Sequence, residues 1–522
     1  MNKRAPDQTA VGWIPDQGDG TYRNPVIHAD YSDPDVIRVG EDFYMVSSSF
    51  NHMPGLPILH SRDLVNWTIV NQVIQRLDLP GYDRVQHGKG VWAPSLRYHE
   101  GKYWVFFSTP DEGIFMSYAE DPLGIWSVPH MVHAAKGWID PCPFWDDDGE
   151  AYLVHAFAFS RSGRKHLLQL CRMSRDGRRL LDEGTIIVDG TVKHPTLEGP
   201  KLYKRNGYYY IFAPAGGVTE GWQCVFRSDS IFGPYEDKIV LSQGTTEING
   251  PHQGGYVELS DGESWFIHFQ DKGAYGRIVH LQPMQWVEGW PVMGNVPPDQ
   301  KIGEPARSFG KPNIVGETGI AIPQTSDDFR GERLGLQWQW QANPRDEWYE
   351  CQPENGALRL FAWPLPEEET GLYDAPQLLM QKFPAPAFKV TTKLRAWDFS
   401  PGDRAGVVVF GQKAAALMLA SESDLYALTL YESEPDGRRD IVLARVEVKV
   451  PEVYLQVEVT EPGRCVLRFS MDGSVFSDIG DPFVIDKGAW VGAKVGLAAV
   501  SAKQGKGRPY GEFTGFYFDY EQ

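Results

Sequence analysis

The chain of 522 residues lacks the marks of several common classes of protein. Its five cysteines, Cys142, Cys171, Cys224, Cys351 and Cys465, are scattered with no CxxC pair and no metal-ligand spacing, so they read as unpaired, mostly buried thiols. No apolar run approaches the ~20 residues that a membrane-spanning helix needs. The opening "MNKRAPDQTAVGW" has two basic residues but no apolar stretch behind them. The simplest expectation is a cytoplasmic protein, although a secreted one trimmed of its leader would read the same. Positive charge is scarce as well: 50 Lys and Arg stand against 69 Asp and Glu, for a net charge of -19 and a pI near 5.2. Without a basic stripe, nucleic acid and anionic membrane are excluded as partners, and a neutral ligand is favoured.

Aromatic residues, by contrast, are plentiful, with 17 Trp, 23 Tyr and 26 Phe. Most must serve as core, but a surplus suits flat apolar rings such as those of sugars. The aromatics recur in a pattern. "SDPDVIRVGEDFYMVSSSF", "WAPSLRYHEGKYWVFFSTP", "IDPCPFWDDDGEAYLVHAF", "LEGPKLYKRNGYYYIFAPA" and "NGPHQGGYVELSDGESWFIHF" each place a polar or aromatic residue beside proline or glycine. A strand, a glycine-bearing turn and an aromatic-rich second strand follow in each. Further strand-like segments complete each unit, and no helical period intervenes. Five all-β copies at roughly 50 to 60 residue intervals predict a five-bladed β-propeller over residues 1–297.

The phase of the repeat singles out certain acids. In "GWIDPCPFWDDDGEAYLV" the run Asp146, Asp147, Asp148 reads as a hairpin turn. Asp140 lies outside that turn among apolar neighbours, where a carboxylate must offset its desolvation. If each copy opens with the innermost strand of a blade, Asp33, Trp92, Asp140, Glu198 and His252 gather at one end of the central channel. Three of these five positions are acids. Alone, Asp33 would pass for a turn residue and Glu198 for a solvated loop acid. Together, carboxylates crowded into one channel point to chemistry, since like charges held close destabilise a fold with no use for them. No Ser-His-Asp or Cys-His signature competes. Glycosidic hydrolysis needs one acid to protonate the leaving oxygen and a second to activate water or attack, and a third nearby would raise the donor's pKa.

The stretches "NPVIHADYSDPDVIRVGEDFYM", "WAPSLRY", "WIDPCPFWDDDGEAYL", "LEGPKLYKRNGYYYI" and "GRIVHLQPM" resemble glycoside hydrolase family 43. The similarity is to its β-xylosidases and α-L-arabinofuranosidases carrying a C-terminal β-sandwich. The resemblance implies Asp33 as general base, Asp140 as the residue that tunes pKa and orients substrate, and Glu198 as general acid. It also implies inversion of configuration, with the Asp33 and Glu198 carboxyls about 6.5 to 9.5 Å apart. Phe50 and Trp92 match positions lining the terminal-sugar pocket, though either side chain would serve equally as core. Arg277 matches an arginine that approaches the substrate hydroxyls and the catalytic aspartates. His252 falls where a histidine lies near a central cation or water. It is thus the candidate for substrate binding or for Ca2+ at the propeller axis, while a lone histidine without convergent oxygens reads equally as core. No cofactor is required.

Residues 298–325, rich in proline and glycine, read as a linker. From 326 to 522, short alternating strands between turns predict a β-sandwich, which resembles the concanavalin-like domain of this group. A loop of it, "SAKQGKGRPYGEFTG", is a candidate to close the pocket; sugar binding and plain stabilisation are the competing roles. The expected function is an inverting exo-hydrolase releasing terminal β-D-xylose or α-L-arabinofuranose from hemicellulose oligosaccharides. The alternatives are another glycosidase of this fold, such as an exo-galactanase or endo-arabinanase, and a sugar-binding propeller without catalysis. Homo-oligomer formation is left open.

Overall fold

The computed structural model describes residues 12–314, 316, 318–366, 371–423, 425–435, 439–502 and 508–520. Strands dominate it, and the one α-helix among the described residues is the single turn Phe159–Ser162. No described helix is long and apolar enough to cross a membrane. Five four-stranded antiparallel sheets follow one another along the first half of the chain. Blade 1 runs from the strand Asp35–Val39 to Thr68–Ile74, blade 2 from Trp92–His99 to His130–Ala134, and blade 3 from Trp138–Trp145 to Thr185–Asp189. Blade 4 runs from Lys201–Arg205 to Glu236–Ser242, and blade 5 from His252–Glu258 to Trp290–Met293. Each blade is a simple meander, as the glycine-bearing hairpin turns require. The second strands are buried along nearly their whole length, as in Lys102–Thr109, because both faces pack on neighbouring blades. Their aromatic richness is core packing.

A shared defect in the inner strands shapes the channel mouth. In blades 2, 3 and 5 the register slips between Trp92 and Ser95, Ile139 and Cys142, and His252 and Gly254. Blades 1 and 4 show the same extra residue. Ser48 bonds Ser32 while Asp35 faces Val46, and Glu198 bonds Pro214 while Lys201 faces Phe212. At this bulge the backbone is left-handed in all five blades: φ is 54° at Asp33, 36° at Ala93, 57° at Asp140, 59° at Gly199 and 39° at Gln253. These five are the equivalent positions. Asp33 and Asp140 belong to this set, whereas Trp92, Glu198 and His252 each stand one residue earlier, level with Ser32 and Ile139. The expected ring of five equivalent residues is therefore two adjacent rings. Both rings reach the same mouth, because a bulge turns successive side chains toward one side.

The propeller closes without sharing a strand between its ends. Asn24 accepts from the Leu281 N–H and donates to its carbonyl, at 2.9 and 2.8 Å, pinning the N-terminal segment to blade 5. Strand Thr21–Arg23 pairs with Ser308–Gly310, so the proline-rich connection is bonded to the propeller surface instead of hanging free. Further along, Gln324 bonds the backbone of Ile69 on blade 1 in both directions.

The C-terminal unit is two packed eight-stranded sheets around a core that includes Leu358, Leu394, Val407, Leu417, Val457 and Phe513. Ala274, Tyr275 and Ile278 of blade 5 belong to the same apolar cluster, so the two units share buried surface. Backbone bonds between Met53 and Trp340, at 3.0 and 2.6 Å, reinforce the seam. At Gly276 (φ 69°) a methyl group would lie 2.5 Å from Asp30 Oδ1 and 2.7 Å from Gly492 Cα. Only glycine lets the units approach so closely there.

Candidate active site

Asp33 is held at the bulge of blade 1 and is almost fully buried. Its Oδ2 accepts from Ser48 Oγ at 2.6 Å and from Ser32 Oγ at 2.8 Å. Arg277, at the start of the third strand of blade 5, reaches both of its oxygens, at 3.1 and 3.3 Å, and also donates to Ser32 Oγ at 2.5 Å. The guanidinium is itself buried and lies over the Phe269 ring, 4.9 Å from its centre. One carboxylate is thus fixed from behind by a cation and two hydroxyls. The Arg277 N–H in turn donates to Asp30 Oδ1 at 2.9 Å, while Asp30 Oδ2 accepts from the Gly492 N–H of the sandwich at 2.9 Å. Asp30 therefore clips the arginine-bearing strand to the second unit.

Asp140 occupies the equivalent bulge of blade 3 and is also almost fully buried. Its Oδ2 accepts from the Gly199 N–H at 2.8 Å, which ties blade 3 to the residue beside Glu198. Burial pushes the Asp140 carboxyl well above its ordinary 3.8, and the charges of Glu198 and Asp33 push it further. The Gly199 N–H and the Lys201 ammonium, buried beneath and bonded to the Pro94 carbonyl at 2.7 Å, work against that rise. Unlike the two aspartates, Glu198 keeps one side open: about a quarter of its side chain is exposed. Its other side meets His252 Nε2 at 3.0 Å.

The aromatic residues named from the sequence converge on the same mouth. Phe50 (φ 54°) is bonded through its backbone to Val91, and its ring meets that of Trp92 with centres 6.0 Å apart. Trp92 is anchored by a bond from Nε1 to the Gly88 carbonyl at 3.1 Å. On its other side lies Trp490, a sandwich residue, at 5.8 Å; the Arg277 guanidinium is 5.7 Å from the Trp490 ring. Among the described residues, the sandwich loop around Ala489–Gly492 therefore reaches the mouth. The loop expected in that role, from Ser501 to Gly515, has its residues 503–507 outside the described residues.

His252 is wholly buried, with Nε2 on Glu198 and Nδ1 without a partner among the described residues. No group of three or more His, Cys, Asp or Glu side chains among the described residues is placed to hold a metal ion. A single imidazole already engaged by a carboxyl does not supply the six to eight oxygens that calcium takes. The five cysteines are free thiols, four of them buried and Cys351 partly so.

Sequence reasoning missed Ser32, Ser48, Asp30 and Trp490. Ser32 had a faint signal in its place before the D-P pair. Trp490 had none, since nothing in the local pattern of a sandwich loop points toward a channel in another unit.

Residues 22–291 match the family model of the glycosyl hydrolases family 43, and residues 326–521 match that of the beta xylosidase C-terminal concanavalin A-like domain. A Xylanibacter ruminicola protein is 41% identical over 487 residues, covering 93% of this chain and 87% of its own. The beta-xylosidase of Formosa agariphila is 32% identical over 557 residues, covering 97% and 91%. A non-reducing end alpha-L-arabinofuranosidase of Bacteroides ovatus is 28% identical over 520 residues, covering 95% and 90%.

Proposed function

The chain belongs to glycosyl hydrolase family 43 and is a glycoside hydrolase, and from that premise we propose that it removes terminal β-D-xylose or α-L-arabinofuranose from oligosaccharides with inversion. The observation that carries this reading is the unequal treatment of the acids. Asp33 is fixed by Arg277, Ser32 and Ser48, while Glu198 presents an open face beside the buried Asp140.

In this reading Asp33 takes the proton of a water molecule as it attacks the anomeric carbon. Glu198 delivers a proton to the leaving glycosidic oxygen on the opposite side of the ring. Arg277 and the two serines hold Asp33 in one orientation, so little reorganisation accompanies the step. Asp140 lies next to Glu198, and its bond to the Gly199 N–H fixes the segment that carries the general acid. Phe50 and Trp92 present apolar faces to the sugar ring, and Trp490 narrows the mouth from the sandwich side. A mouth walled in this way supports removal of single sugars from a chain end in preference to cutting within a chain. The choice of sugar draws on the names of the relatives, and xylose and arabinofuranose share enough hydroxyl stereochemistry for one pocket to accept both.

Incubation with 4-nitrophenyl β-D-xyloside, α-L-arabinofuranoside and β-D-galactoside tests the proposal. Release from either pentoside supports it. Release from the galactoside alone, or only from internal bonds of a polymer, would replace it with another substrate. Turnover is expected to survive a chelator unchanged.

A further inference from the structure

The bulge positions of the five blades hold Asp33, Ala93, Asp140, Gly199 and Gln253, all with left-handed backbone. Asp33 and Asp140 carry the site's chemistry and Ala93 has only a methyl group, which leaves Gln253 unexplained. A non-glycine residue held in this conformation is strained, and such strain gathers at functional sites. Gln253 is 3% exposed, yet its Nε2 has no hydrogen-bond partner among the described residues. A buried amide without a partner costs stability, so a purely structural glutamine would be expected to find one.

The neighbouring blade shows where this side chain goes. A Cβ built on Gly199 would lie 2.7 Å from Gln253 Cδ and 2.9 Å from Cγ. By the equivalence of the blades, that Cβ points where those of Asp33 and Asp140 point, toward the pocket. The Gln253 carboxamide therefore fills the space that a side chain on blade 4 would take, next to Glu198 and to the Gly199 N–H that Asp140 holds. Glycine at 199 is what admits it.

We propose that Gln253 is a further substrate-binding residue whose carboxamide, turned so that its N–H faces the cavity, donates to a hydroxyl oxygen of the sugar in the pocket. The inference rests on the reading of this site as a glycosidase pocket. It accounts for the strained backbone, the missing partner and the glycine opposite with one ligand of ordinary chemistry, a pentose hydroxyl.

The test is kinetic. Gln253→Met keeps the length of the side chain and removes the donor; KM should rise about ten-fold or more, with Tm little changed. Repeating the comparison with 4-nitrophenyl 2-deoxy-, 3-deoxy- and 4-deoxy-xylosides should abolish the difference for the one substrate that lacks the partner hydroxyl. Gln253→Leu, which also removes the donor and adds no ionisable group, serves if the methionine variant fails to fold. An unchanged KM would overturn the inference, as would an equal loss on every deoxy substrate or a loss of Tm alone. Should the unmodified enzyme cleave neither pentoside, the functional reading fails first. Should it cleave one while Gln253→Met behaves identically, only this inference falls.

Discussion

Replacing Asp140 by asparagine should make the protein more stable and nearly inactive at the same time. The carboxyl is buried, and its pKa is raised by desolvation and then by the charges of Glu198 and Asp33. A carboxyl that binds its proton more tightly when folded destabilises the native state wherever the unfolded chain would have released that proton. The penalty is absent well below the ordinary 3.8 and grows as pH rises above it. Asparagine is nearly isosteric, and its Oδ1 can still accept from the Gly199 N–H, so the 2.8 Å bond survives. What disappears is the buried charge. A pKa raised by one unit corresponds to about 1.4 kcal/mol of stability lost above both values. At pH 7, Asp140→Asn should therefore gain on the order of 1 kcal/mol or more and melt above the unmodified protein. At pH 4 the gain should shrink toward zero. On a 4-nitrophenyl pentoside, kcat should fall about 10²-fold or more, because the carboxylate beside Glu198 is gone. Thermal melts at the two pH values, paired with kcat, decide the matter. A variant that melts below the unmodified protein at pH 7, or gains equally at both pH values, would refute the reasoning.

Other outcomes follow from the same geometry. Glu198→Ala should lose about 10³-fold on xylobiose and far less on a substrate with a good leaving group such as 4-nitrophenolate, which departs without a proton. Equal losses on both would deny Glu198 its role. Asp30→Asn leaves one of the two backbone N–H groups, from Arg277 or Gly492, facing an amide donor. A buried charge-assisted bond of this kind contributes about 1.5–3 kcal/mol, so Tm should fall and kcat with it as Arg277 loosens. Unchanged melting would show that the clip is dispensable.

How far the site could be read from sequence depended on where each residue sits in the repeat. The propeller was legible because every blade repeats a short strand, a glycine turn and an aromatic strand buried on both faces, as in Lys102–Thr109. That the three acids meet at one mouth was legible because Asp33, Asp140 and Glu198 each stand close before a proline. Proline was nevertheless an imperfect ruler. Pro34, Pro94, Pro141 and Pro200 each follow the left-handed bulge residue, but in blade 5 Gly254 takes that place and Pro251 precedes His252. Aligning on proximity to proline therefore merged two successive positions and hid Gln253, which only the ladder registers separate. The linker was legible as a break in the repeats, but not its bonding to Ile69 and to Thr21–Arg23, which depends on surfaces far along the chain. Trp490 lay beyond local reasoning for the same cause: its neighbours Trp92 and Arg277 come from blades 2 and 5, and only the docking of the sandwich brings them together.

The most direct test of the division of labour between Asp33 and Glu198 is the anomer first released from a β-D-xyloside, followed by proton NMR before mutarotation sets in. With Asp33 activating water, α-D-xylose must appear first and the β-anomer only later. Initial β-D-xylose would mean that a carboxylate attacks the sugar itself, and the assignment of Asp33 as base would be wrong.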